Sequence, residues 1–133
     1  MTNKRKFQRR DKREKMEYEQ KLLELARVTR VVKGGRRFRF RAAVVIGNRN
    51  GKVGLGVSKG QDVSEAMKKA YNDARKNITS VKRYNTTIGC EVKAKYGSAE
   101  VLLKPARPGR GIVAGGAVRA VIDLAGIRDI VTK

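Results

Sequence analysis

The chain has no histidine, no tryptophan and a single cysteine, Cys90, in 133 residues. One cysteine excludes an internal disulfide and points to a reducing, cytosolic compartment. Without histidine or a second cysteine there is no zinc-ligand spacing, so neither a metal nor another cofactor is expected. Aromatic residues are few, three Phe and four Tyr, which makes stacking on unpaired bases a minor binding mode. No apolar run approaches the roughly 18 residues of a membrane span, and no basic amphipathic helix carries a Trp, Phe or Leu face. A membrane partner is therefore not expected. The basic N-terminal stretch is interrupted by Asp11, Glu14, Glu17 and Glu19 and no apolar core follows, so it reads as neither a secretory signal nor an acid-poor transit peptide.

Acidic residues are scarce as well. Thirty-three Lys and Arg against twelve Asp and Glu give a formal charge of +21, which repels itself unless a polyanion neutralises it. Between Leu25 and Gln61 there is no acidic residue, while Arg27, Arg30, Lys33, Arg36, Arg37, Arg39, Arg41, Arg49, Lys52 and Lys59 are all basic. Arg37, Arg39 and Arg41 alternate with Phe38, Phe40 and Ala42. In a strand the arginines would share one face and the rings the other. Successive arginines would stand roughly 6.6 Å apart, at about 3.3 Å per residue. Each guanidinium fork can grip a phosphate, and a nucleic acid is the expected partner. The alternative, a merely solvated face, does not account for the charge of the whole chain.

Residues 1–21 hold little apolar surface and are expected to form a basic, mobile arm. Residues 22–84 read as one small domain. A short helical turn is expected over Leu22–Ala26, then a strand at Val28–Lys33. Gly34 and Gly35 close a hairpin, one of them at positive φ, so Gly35→Val is expected to strain it. Arg36–Gly47 is the long strand, Asn50-Gly51 a second hairpin and Lys52–Ser58 a third strand. Gly54 and Gly56 inside that strand point to close approach by another element. The spacing Gly54, Gly56, Gly60 behind hairpin strands does not fit a dinucleotide fingerprint. Asp62 and Glu65 suggest a capping box opening a helix whose inner arc is Val63, Ala66, Met67, Ala70, Ala74 and Ile78. Lys68, Lys69, Arg75 and Lys76 lie across from that arc. The α-β-β-β-α order is that of a double-stranded-RNA-binding domain, a fold that reads RNA through shape, phosphates and 2′-hydroxyls.

Residues 85–133 form a second unit. Thr86–Lys95 and Ser98–Lys104 read as a hairpin, and the loop Lys104–Gly111 is stiffened by Pro105 and Pro108. A helix is expected from Ala117 to Ala125, stopped by Gly126, with Val118, Val121, Ile122 and Ala125 inward and a final strand at Ile127–Val131. Arg107, Arg110 and Arg119 add a separate basic site.

The segments VVKGGRRFRFRAAVVIGNRNGKVGLGVSKG, TTIGCEV and VLLKPARPGRGIVAGGAVRAVIDLAGIRDIV, in this order, resemble the bacterial-type ribosomal protein five family of the small subunit. The likeness runs from about Leu22 to Val131. It implies an α+β chain with a double-stranded-RNA-binding-like domain followed by a left-handed βαβ domain. It also implies a structural constituent of the small ribosomal subunit at the body/head junction, binding 16S-type rRNA and touching ribosomal proteins four and eight. Such a protein lies beside the path by which mRNA enters, and contributes to assembly and translational accuracy. The tip Lys33-Gly34-Gly35-Arg36 would face the head, near where spectinomycin acts. Two departures stand out: Gly89-Cys90 replaces the family's usual Pro-His, and the sequence stops at Lys133 where the family continues into a closing helix. Pro108–Ala117 echoes the glycine-rich phosphate loop of kinases related in fold to the second domain, but it lacks their serines and any base nearby. Neither an enzyme nor a small-molecule substrate is expected.

Overall fold

A computed structural model describes residues 18–133. The chain order is β1 (Glu19–Val32), β2 (Gly35–Gly47), β3 (Lys52–Gly60), α1 (Val63–Lys76), β4 (Ile78–Ser80), β5 (Val92–Tyr96), β6 (Ala99–Pro105), β7 (Ile112–Val113), α2 (Gly116–Ala125) and β8 (Ile130–Thr132). The first sheet has the order β1-β2-β3-β4 and the second β5-β6-β8-β7. In the second, β7 and β8 run parallel on either side of α2, a βαβ unit, and β6 pairs antiparallel with β8. The architecture is α+β, as the sequence implies.

β2 explains how the two halves join. Its polar alternation stops at Arg41, and Ala42 to Gly47 are all buried because both faces of this stretch are covered. Ala42, Val44 and Ile46 pack with Ala66, Ala70 and Ala74 of α1. Val45, from the opposite face, joins Val53 and the second unit's Ile122, Leu124, Ala125, Ile127 and Ile130. The first sheet is thus the middle layer of a three-layer body.

On the α1 side the fit depends on missing side chains. A Cβ on Gly54 would be driven into the Ala74 carbonyl, one on Gly56 into the Ala70 carbonyl, and one on Gly60 would lie 2.6 Å from the Ala66 nitrogen. The helix lies down on β3 with alanine against glycine, the close approach that the glycines in the sequence call for.

Several local expectations are corrected. Leu22–Ala26 is strand, not a helical turn, because the β2 ladder supplies its backbone partners, with Leu22 opposite Val44 and Leu25 opposite Ala42. The strand starts at Glu19, within the stretch expected to be an arm; residues 1–17 of that arm lie outside the described residues. Asp62 is the N-cap of α1 but makes no side-chain cap bond. Glu65 instead accepts from the Gln61 N–H at 3.0 Å. Ile78 falls in β4 rather than on the helix, and β4 and β7 have no counterpart in the sequence reading. The strand expected from Thr86 shrinks to Val92–Tyr96, since the Thr86 carbonyl accepts from the N–H groups of Arg128 and Asp129. The final strand starts at Ile130, because Ile127 is spent closing α2, its N–H donating to the Ile122 carbonyl.

A candidate nucleic-acid interface

The β2–β3 ladder ends at Phe40 opposite Gly60, whereas β1 and β2 stay paired as far as Val32 opposite Gly35. Beyond Phe40 the hairpin is therefore a bare two-stranded ribbon, five residue pairs or about 16 Å long. It carries Arg30, Lys33, Arg36, Arg37 and Arg39, with Arg27 at its base opposite Phe40, and all six are exposed. Among the described residues none of the six is in an ion pair. Arg30 stands directly opposite Arg37, and Arg41 opposite Lys59 at the ribbon's base. Like charges so placed destabilise a sheet, a local cost that a polyanion reverses.

The pairing puts Arg30, Arg37, Arg39, Arg41 and Lys59 on the sheet face turned away from α1. Phe38 and Phe40 lie on the other face. Phe40 packs toward the α1 core, while Phe38 is 44% exposed and is capped by the Arg27 guanidinium, 3.8 Å from the ring centroid. Arg27 thus belongs to the ring face, and the ribbon is basic on both sides.

At the tip, the turn residues are Lys33 and Gly34. Gly34 has φ +85°, whereas Gly35 is already in the strand opposite Val32. The expectation of strain at Gly35 is therefore corrected to Gly34. Gly34→Val is predicted to destabilise by about 1–2 kcal/mol through the left-handed backbone. Gly35→Val should be nearly neutral, since no atom lies within 4 Å of its Cβ position. Thermal melts of the two variants would decide this, and equal losses would contradict the turn assignment. At the second hairpin the positive φ values fall on Arg49 and Gly51 rather than on the Asn50-Gly51 pair.

The other basic candidates divide by what already holds them. Lys52 and Lys68 are exposed, Lys68 beside a shallow groove with Tyr18, Met67 and Tyr71. Lys69 pairs with Glu65 at 2.6 Å, and together with the Gln61 N–H it holds the Glu65 carboxyl below its ordinary range. Arg119 donates to the Ile112 carbonyl at 2.7 Å. Arg49 pairs with Glu19 at 2.7 Å and lies 3.6 Å from Asp123, and the Glu19 bond holds that carboxyl low and raises the guanidinium. Arg107 and Arg110 are exposed on the loop before β7, a second basic site away from the ribbon.

That loop is organised by Asp129, a buried carboxylate. One of its oxygens accepts from the N–H groups of Gly109 at 3.0 Å and Gly111 at 2.9 Å. The Gly111 N–H, followed by the Thr86 hydroxyl, holds the Asp129 carboxyl below its ordinary value of 3.8. The nest of N–H groups that could cradle a phosphate thus contains an internal anion, which is a physical argument against the kinase-like use of this loop. An acid with a lowered folded pKa stabilises fully above its unfolded value, and that contribution is lost as pH falls through the folded one. Melting temperature is accordingly expected to drop on acidification from about pH 5 to below pH 3, and Asp129→Asn should flatten that drop. An unchanged acid profile in the variant would contradict the assignment.

From sequence, Asp129 reads as lying beyond the helix with no carboxylate near the loop; the fold corrects this by bringing it under Gly109 and Gly111. Sequence reasoning missed Arg83 and Arg128, which flank the seam between the two halves. Arg83 donates to the Gly126 carbonyl at 3.2 Å and to the Asn50 side-chain oxygen at 2.6 Å. The N–H groups of Arg49 and Gly51 donate to the Leu124 and Ala125 carbonyls.

Comparison with known proteins gives a consistent result along the chain. Residues 18–82 match the family model of the ribosomal protein S5 N-terminal domain, and residues 94–133 that of the S5 C-terminal domain. The small ribosomal subunit proteins uS5 of Campylobacter jejuni strains 81-176, 81116 and RM1221 are each 50% identical over 123 residues. The match covers 92% of this chain and 84% of theirs.

Proposed function

This chain belongs to the ribosomal protein S5 family, and on that premise we propose that it is a structural, non-catalytic constituent of the small ribosomal subunit that grips 16S-type rRNA through the β1–β2 ribbon. The observation that carries the rRNA contact is the ribbon with its base: six exposed cations, no acid, and like charges face to face. Arg41 and Lys59 extend the basic surface at the base of the ribbon, Lys52 lies at the far end of β3, and Arg107 and Arg110 supply a second contact. Lys68, Lys69, Arg49 and Arg119 are secondary, the last three already holding partners within the chain.

By likeness to the family, the protein stands at the body/head junction beside ribosomal proteins four and eight and near the path of incoming mRNA. There it supports assembly and decoding accuracy in the cytoplasm. The Lys33-Gly34-Gly35-Arg36 tip faces the head, where a displaced turn would alter spectinomycin response. Binding that rests on phosphates must weaken with salt. With some 6 to 10 phosphates neutralised, log affinity should fall against log salt with a slope of about −0.7 to −0.9 per contact. Filter binding to small-subunit rRNA across a salt series tests this, and a flat salt profile would refute the reading.

A further inference from the structure

Three arginines from separate segments converge on one notch at the seam between the two halves: Arg49 from the β2–β3 loop, Arg83 from the segment after β4, and Arg128 from the turn before β8. The notch encloses about 320 Å³, at the small end of the range for ligand sites. Its walls also include Asn85, Thr86 and Asp123. Arg49 and Asn85 are the only non-glycine residues at positive φ among the described residues, 54° and 52°, and both line it.

Two of the guanidiniums are held in place. Arg83 is anchored by Gly126 and Asn50, and Arg49 by Glu19. The Arg128 side chain is exposed and has no hydrogen bond or ion pair among the described residues. Asp123 is the one carboxylate in the lining, 3.6 Å from Arg49, and Glu19 pairs with the same guanidinium from outside it, so three cations meet two carboxylates and one positive charge is left over. This excess, in a polar recess with one unengaged fork, suits a singly charged tetrahedral oxyanion.

We propose that the Arg49–Arg83–Arg128 notch is a seat for one phosphodiester of the bound RNA, which would clamp the seam between the two halves. The proposal rests on the rRNA-binding reading and adds a contact outside the ribbon. A free phosphate shares the chemistry, and the test separates the two sources.

The test uses Arg128→Gln in the full chain, since Arg128 supports no other group through its side chain. With small-subunit rRNA, affinity should fall about ten- to a hundredfold, as for loss of one charged hydrogen-bonding contact. The salt slope should become shallower by about 0.7 to 0.9, one phosphate's share, with the melting temperature unchanged. In the wild-type protein, rRNA should protect Arg128 from an arginine-specific dicarbonyl reagent, read by mass spectrometry. The variant Arg37→Glu/Arg39→Glu runs in parallel. If it loses affinity while Arg128→Gln keeps both affinity and slope, the seat is refuted and the ribbon reading stands. If the double variant binds as the wild type does, the ribbon reading fails by itself. Protection of Arg128 by inorganic phosphate at fixed ionic strength, without protection by rRNA, would overturn the assignment to RNA.

Discussion

Replacing Gly56 by alanine is expected to cost about 3 kcal/mol or more, at the upper end of overpacking effects. The added methyl would have to share space with the Ala70 carbonyl and the Ala74 nitrogen, which belong to helix backbone and cannot swing aside as a side chain would. α1 must then lift from β3, opening the core in which Ala66, Ala70 and Ala74 are fully buried. The melting temperature should fall by roughly 10 °C or more at this chain length. Gly89→Ala provides the control, because nothing lies within 4 Å of its Cβ position. A Gly56→Ala melt within about 2 °C of the parent, less than half a kcal/mol on the same scale, would show that the helix does not need this glycine.

The second large effect is on binding. Arg37→Glu with Arg39→Glu is expected to lower rRNA affinity at least about tenfold, given about 1.5–3 kcal/mol for a hydrogen bond to a charged group. Stability should stay within about 0.5 kcal/mol, as for most exposed sites. The structure adds a reason for that tolerance: Arg37 stands opposite Arg30, so reversing its charge replaces a cross-strand repulsion by an attraction. Circular dichroism melts and filter binding read the two effects separately. Unfolding of the double variant would contradict the placement of these side chains, and unchanged affinity would contradict the role of the ribbon.

Much of this was legible from local pattern. Arg37, Arg39 and Arg41 against Phe38 and Phe40 follow the period of a strand, and Gly54 and Gly56 are explained by a helix lying close. The errors have a common origin in tertiary contacts. Leu22–Ala26 has no strong strand signature, and it becomes strand because β2 offers a ladder. The run Ala42 to Gly47 lost its alternation for a reason visible only when α2 covers the second face. Thr86 left its expected strand because its carbonyl is taken by two N–H groups from the turn before β8. Within the candidate interface, sequence separated basic from acidic stretches but not free from engaged side chains. Lys69 and Arg119 read the same as Arg37 until Glu65 and the Ile112 carbonyl are found beside them. Arg83 and Arg128 stood outside the acid-free stretch and carried no spacing signal, so only the seam brings them together with Arg49.

The central claim is that this chain is a small-subunit component whose basic ribbon lies on rRNA. Ultraviolet cross-linking of intact small subunits from the source organism, followed by mass spectrometry of the nucleotide-bearing peptides, tests it most directly. The predicted result is one copy of the chain per subunit, with RNA adducts concentrated on the peptides spanning residues 27–41. Absence of the chain from intact subunits isolated at low salt, or its presence with adducts confined to other peptides, would contradict it.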